Sequence, residues 1–536
     1  MKLRNFALRG ATMVAAVMLL LVAPPASPAL ADSAGPNNAG VGVDVAGVGT
    51  IAWKNPGNIA ASGVADVRLN NGHSISHYLQ GTQYGFAIPA GSTINGIAVI
   101  INRYASGTSP DITDYVVSLV RGGAIVGANR ASPSVWPTAL ATSTYGGDTD
   151  LWGTTWSVAD INATDFGVVL SAQRVGTGGA RTAYVDYMQI TVNYTLPGTT
   201  TSVNCGSGTP VVTYGSSVTC VATVTRLAGT NTPTGTVNWT SNGSGSFTPS
   251  PCTLSPGSGG TSTCSITYTP SAVGSGSHLI TATYSGDGNF SGSSSTETAT
   301  VNKATATCSI SGYSGVYDAA HHGASGTCTG IGGESAGTLN LGVTYKDVPG
   351  GMAHWVFTSN GNYTDQSGDV AITISKANAT CSVSGYSGVY DAAAHGASGT
   401  CTGIGGESAG TLNLGATYKD VPGGTAHWVF TGNGNYTDQS RDAAIAITPR
   451  PVTVTADAKT KPAGAADPPL TYQITSGSLV GTDDFTGDLV REAGEAPGTY
   501  VIKQGTLALS SNYTLTYVGA NLTITSWLVF LPLILR

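Results

Sequence analysis

Residues 338–367 read TLNLGVTYKDVPGGMAHWVFTSNGNYTDQS. Leu339, Leu341, Val343 and Tyr345 alternate with Asn, Gly and Thr, a period of two that places four side chains on one face of a strand. Trp355 and Phe357 repeat the alternation in the next run, and Gly350-Gly351 and Asn360-Gly361 stand between runs as turn signals. Short strands separated by Gly-rich turns predict a β-sandwich rather than a helical fold. The same text recurs at 411–440. Residues 304–376 align with 377–449 without a gap, differing at 11 of 73 positions. An Asn-aromatic pair marks a wider period: Asn289-Phe290, Asn362-Tyr363, Asn435-Tyr436 and Asn512-Tyr513, in steps of 73, 73 and 77. Four modules laid end to end are expected.

The rest of the chain agrees in kind. Of 536 residues 74 are Gly, 41% are hydrophobic and 10% are charged, against about 25% charged in an average soluble domain. The solvated surface must therefore be Ser, Thr, Asn and Gly, which suits β-rich extracellular modules. A net charge of −7 disfavours nucleic acid as a partner, because phosphate neutralisation needs clustered Lys and Arg. Residues 1–31 read as a secretory signal peptide: Lys2, Arg4 and Arg9, an apolar run from Ala11 to Ala23, then Ala29-Leu30-Ala31. Residues 32–197 lack Cys, hold four Trp and carry long alternating runs, predicting one larger N-terminal β-sandwich of jelly-roll type. Leu196 to Thr201 reads as a linker into a domain at 198–303. The two repeats at 304–376 and 377–449 follow, then a module at 450–526 and a hydrophobic C-terminal tail at 527–536. At nine apolar residues broken by Pro532 the tail is too short to span a bilayer, and no transmembrane span is expected. It is read as a docking tail or as an extra strand. Proteolysis is expected to fall at the junctions, near 197–203, 303–306, 376–379 and 449–452.

All eight Cys lie after residue 200, an even number in an exported chain. Cys308 and Cys328 recur as Cys381 and Cys401, so repeat symmetry pairs 308 with 328 and 381 with 401. Each such loop is worth about 3 kcal/mol in the chain-entropy model. Cys205, Cys220, Cys252 and Cys264 allow three connectivities; short hairpin-like stretches favour 205–220 and 252–264. No CxxC occurs, and neither a metal nor a cofactor is expected.

Residues 202–303 resemble a bacterial immunoglobulin-like repeat, through Pro233-Thr234-Gly235-Thr236-Val237, His278 to Asp287 and the closing Thr300-Val301-Asn302-Lys303-Ala304. Residues 450–525 resemble the MBG-type β module of bacterial surface proteins. Its marks are Val452 to Asp457, Asp467-Pro468, Leu470-Thr471-Tyr472, Gly498-Thr499-Tyr500 and Asn512-Tyr513. Where that family carries Tyr-Gly shortly before Asp-Pro, this chain has Ala463-Gly464. The 73-residue pair is similar to a module with a Tyr-Asp-Gly signature, here Tyr317-Asp318 and Tyr390-Asp391 followed by Ala. These resemblances imply secreted or cell-surface, often adhesin-like proteins, with no catalytic residues to transfer.

Chemistry-bearing candidates are few. Gly330 to Ser335 falls short of a GxGxxG dinucleotide loop. His354 and His427, with an Asp, could do acid–base work, but duplication in near-identical modules favours a structural role. Asp148, Asp150 and Asp160 are read as loop carboxylates before calcium ligands. Trp152 and Trp156 could form a sugar-stacking platform if exposed; as core they fill the sandwich, the role expected for at least one of them. The fold expected is all-β, a tandem array of immunoglobulin-like and MBG-like sandwiches behind the N-terminal one. The function expected is a secreted or cell-surface structural and adhesion protein, not an enzyme, meeting a polysaccharide or another cell-surface protein. The alternative is a carbohydrate-binding protein acting through its N-terminal sandwich.

Overall fold

A computed structural model describes residues 31–527 apart from 71, 109 and 110. Almost all of the signal segment and of the C-terminal tail therefore lies outside the described residues. The chain divides into two units, one of residues up to Thr305 together with Asn360–Thr364, the other of Ala306–Ser359 and the residues from Asp365 onward.

In the first unit, two five-stranded antiparallel sheets make the N-terminal sandwich. One runs Ala31–Asn38, Arg181–Thr195, Thr93–Ala105, Ala141–Gly146, with Ala65–Leu69 also on Arg181–Thr195. The other runs Val41–Val45, Tyr78–Thr82, Gly167–Arg174, Ile112–Arg121, Ala124–Val126. Ile97, Val99 and Ile101 point inward from one sheet and Leu119, Val168 and Leu170 from the other, the alternation their sequence predicts. All four Trp of this domain, Trp53, Trp136, Trp152 and Trp156, are buried in the core between the sheets.

The following sandwich pairs Val211–Thr213 in parallel with Ser291–Asn302 in one sheet and stacks it on the sheet centred on Val218–Arg226 and Thr261–Pro270. Of the predicted linker at 196–201, Leu196 packs on the N-terminal core and the residues from Pro197 onward join this module. Thr199–Asn204 is an edge strand on Val218–Arg226, and Pro197 O accepts the Ser291 amide at 3.0 Å. Its threonines read as linker because they carry no apolar alternation; what fixes them is the adjacent strand's free edge.

In the second unit each repeat has a two-stranded and a four-stranded sheet. The first repeat pairs Thr307–Ser311 with Ser325–Thr329, and orders Tyr313–Val316, Gln366–Ser375, Gly350–Ser359 and Gly337–Asn340. The second repeat has the same order from Thr380–Ser384 to Gln439–Thr448. The alternation from Leu339 to Tyr345 does not form one strand. Pairing stops at Asn340, because Gly342 turns at φ 82° and any Cβ there would meet His354 O at 2.4 Å. Val343 is thereby left outside, 59% exposed. Tyr345 lies instead over Gly351, its hydroxyl donating to Met352 O at 2.8 Å. The last module combines Tyr472–Ser476, Arg450–Ala456 and Tyr513–Val518 with a sheet of Lys459–Pro462, Ala520–Thr525, Gly498–Lys503 and Val490–Arg491.

Candidate functional site

Four disulfides close Cys205–Cys220, Cys252–Cys264, Cys308–Cys328 and Cys381–Cys401, leaving no free thiol. The histidines nearest them are engaged elsewhere. His322 stacks on Tyr313 at 3.8 Å and bonds Asp318, and His395 does the same with Tyr386 and Asp391. His354 and His427 meet Asp369 and Asp442 across adjacent strands as solvent-exposed pairs.

Trp152 and Trp156 do not form a platform. Trp152 is fully buried, its Nε1 donating to Ile97 O at 2.8 Å. Trp156 is 8% exposed, with its edge on Phe166 and Arg121 over its face. Neither ring presents a free face to a sugar, because both fill the space between the sheets. Trp152→Ala is expected to cost about 3–5 kcal/mol, and the N-terminal transition should move to lower temperature in differential scanning calorimetry. The carboxylates weighed as calcium ligands are spread apart. Asp148 accepts from Asn193, Asp150 pairs with Arg130, and Asp160 caps the short helix Val158–Asn162. Among the described residues no group of three or more His, Cys, Asp or Glu is placed to hold a metal.

The sequence reading missed a charged cluster inside the N-terminal sandwich. Arg103, 3% exposed, is ion-paired with buried Asp114 and donates to Ser143 Oγ at 3.0 Å. Asp114 also accepts from Trp136 Nε1 at 2.9 Å, Tyr145 OH at 2.8 Å and the Ser132 amide at 2.9 Å. The Arg103 guanidinium lies 4.6 Å from the Trp136 ring centre. Position parity could have revealed it, since Arg103 shares the inward face with Ile97, Val99 and Ile101.

The joints of the second unit carry its other distinctive geometry. Between the two repeats, Asn435 Oδ1 accepts from Val348 N at 3.0 Å and Nδ2 donates to Asp347 at 2.8 Å. Tyr436 sits edge-on to Tyr317 with ring centres 5.6 Å apart, and its hydroxyl donates to Glu407 at 2.6 Å. Within the second repeat, Ala377 donates to Asn435 O and accepts from Thr437 N, each at 2.9 Å. Tyr317 and Ile374 of one repeat share a core with Phe430 and Tyr436 of the next. The joint to the last module repeats the design on different residues. Asn512 bonds Val421 N and Asp420, and Tyr513 is edge-on to Tyr390 at 5.5 Å. Both of these tyrosine hydroxyls donate to Asp483. The last two of the four Asn-aromatic pairs seen in the sequence, Asn435-Tyr436 and Asn512-Tyr513, are therefore the plugs of these joints. In the last module the amide of Ala463 bonds Thr525 O as Tyr317 bonds Ser375 O and Tyr390 bonds Thr448 O. The missing Tyr of the Tyr-Gly signature is thus the residue that receives a neighbour's plug. Glu495, ahead of Ala496-Pro497 as Asp347 and Asp420 stand ahead of Val-Pro, is bound by Lys461 and Arg491 of its own module.

Burial, and then the carboxylate of Glu407 or Asp483, pushes the Tyr317 and Tyr390 phenols up to about 12. A raised phenol value means the folded state holds its proton more tightly. That stability is complete below the ordinary value of about 10 and is lost as pH rises through 12. Thermal melting of the second unit is expected to fall between these limits, and an unchanged melting temperature would count against the joints.

The geometry defines an all-β chain of tandem sandwiches. Residues 203–302 match the family model of the bacterial Ig-like domain (group 3), and residues 452–523 that of the MBG domain (YGX type). A search of curated proteins finds no match. Solved structures similar to the chain include Sidekick-1 immunoglobulin domains 1-5, at 10% identity over 81% of this chain and 99% of that one, TM-score 0.17. The N-terminal domain of the Streptococcus gordonii adhesin Sgo0707 is 10% identical over 47% of this chain and 74% of that one, TM-score 0.16. The Spr0440 glycoside hydrolase domain, Endo-D from Streptococcus pneumoniae R6, is 9% identical over 51% and 37%, TM-score 0.15. At these scores none of the three carries an argument. Among the described residues no helix is long and apolar enough to cross a membrane.

Proposed function

We propose that the chain is an exported, non-enzymatic surface or secreted protein, in which disulfide-stapled modules serve as a stalk and residues 32–197 as the binding domain. The domain boundaries are those of the sequence reading. The observation that carries this is the plugged joint. Modules that share cores and hydrogen-bond across the junction resist bending, as a stalk requires and as flexible linkers would not provide. Disulfides in every module of 203–449 fit an oxidising exterior, as do the bacterial Ig-like and MBG families matched. Deleting 32–197 in the producing cell tests it. Adherence or polymer retention should be lost while antibody to 450–526 still labels the exterior. Adherence that survives the deletion would overturn the assignment of the binding domain.

A further inference from the structure

The N-terminal sandwich carries an open groove of about 460 Å³, within the range of small-ligand sites. It is lined by the edge strand Ala141–Gly146 and by residues 130–137 of the crossing segment. Two guanidinium groups, Arg103 and Arg130, line it and no carboxylate does. Asp114, which neutralises Arg103, is fully buried and shares its two oxygens among Arg103, Trp136, Tyr145 and Ser132. The Arg103 Nε is buried and has no acceptor, although an orphaned charged donor is costly. Arg130 is held only by an exposed pair with Asp150 at 2.7 Å, an interaction worth at most about 1 kcal/mol and open to exchange. Around these cations stand the hydroxyls of Ser134, Ser143 and Thr144, and Val135 is 54% exposed on the lining.

An Arg103 Nε without an acceptor and an Arg130 held only by an exchangeable surface pair leave donors for an added anion, and planar guanidinium groups suit a carboxylate. Several hydroxyls beside one apolar wall suit a ring that carries hydroxyls on its edge and C–H groups on its face. We propose that this groove binds a carboxylate-bearing sugar, a uronate unit of an extracellular polysaccharide. The inference rests on the reading of 32–197 as the binding domain and gives that domain its ligand class and its site. The alternative grooves are weaker. The one beside Cys252 and Cys264 has no charged lining, and in the one at Asp467 and Glu495 the charges already satisfy one another.

The test uses the full chain from Asp32 with polygalacturonate, alginate and hyaluronan, and methyl-esterified polygalacturonate as the uncharged counterpart, at about 0.15 M salt to screen diffuse attraction. Variants are Arg130→Gln and Ser134→Trp, both at exposed positions, each first confirmed to melt as wild type. At least one polyuronate should bind. Arg130→Gln should weaken it tenfold or more, Ser134→Trp should abolish it, and esterification should remove it for polygalacturonate if that is the polymer bound. Failure of all three polyuronates, or binding that survives Ser134→Trp, overturns the groove assignment. If adherence still depends on 32–197 in that event, the binding-domain reading stands and only the ligand class falls. If adherence does not depend on 32–197, the broader reading falls with it.

Discussion

Asp114→Ala is expected to destabilise the N-terminal sandwich by about 3–5 kcal/mol, because it leaves the Arg103 guanidinium charged inside the core with its main partner gone. Trp136 Nε1, the Tyr145 hydroxyl and the Ser132 amide lose their acceptor in the same step. Chemical denaturation followed by tryptophan fluorescence reads the change directly, since four of the eight Trp lie in this domain. The double variant Arg103→Met with Asp114→Leu removes both charges and should recover the part of the loss due to the unpaired guanidinium, while the three donors stay without their acceptor. A single variant as stable as wild type would show that the ion pair contributes nothing to the fold.

Tyr436→Ala is the second large effect expected. The side chain is fully buried and serves two modules at once: it fills the core of its own repeat and packs against Tyr317 of the preceding one. Truncation should cost about 3–5 kcal/mol, and both repeats should melt at lower temperature. Tyr436→Phe retains the ring and removes only the hydroxyl that donates to Glu407 and accepts from the Ile404 amide. Its cost should be about 1–3 kcal/mol. Loss confined to the second repeat in Tyr436→Ala would mean that the two cores do not cooperate.

The fold is legible where the chain repeats itself. Period-two alternation and glycine turns identify the strands, and the shift of 73 is enough to pair Cys308 with Cys328. The Asn-aromatic pairs are visible as a period but not as plugs, because their partners Asp347, Val348 and Tyr317 lie far off in sequence and only packing brings them together. The junctions read as linkers for the same reason. Ala377 and Ala379, small residues beside polar ones, resemble a linker, yet both are buried. The strand alternation through Val343 fails because one glycine turns the chain out of the sheet. In the N-terminal domain the class of the sandwich is legible, and parity alone marks Arg103 as inward-facing, but its partner is not legible. Arg103 and Asp114 are neighbours across two sheets rather than along the chain.

Amide hydrogen exchange at the joints tests the central claim most directly, since it asks whether modules of the second unit are locked or merely strung together. The amides of Val348 and Val421 donate across junctions to the Oδ1 of Asn435 and of Asn512, at 3.0 and 2.8 Å. If the joints are locked, these amides should exchange as slowly as those of Ala426 and Ile447 in the repeat core, because they open only when the cores open. Exchange at the rates of exposed turns such as Gly361 and Gly434, with protected module cores on either side, would contradict the account.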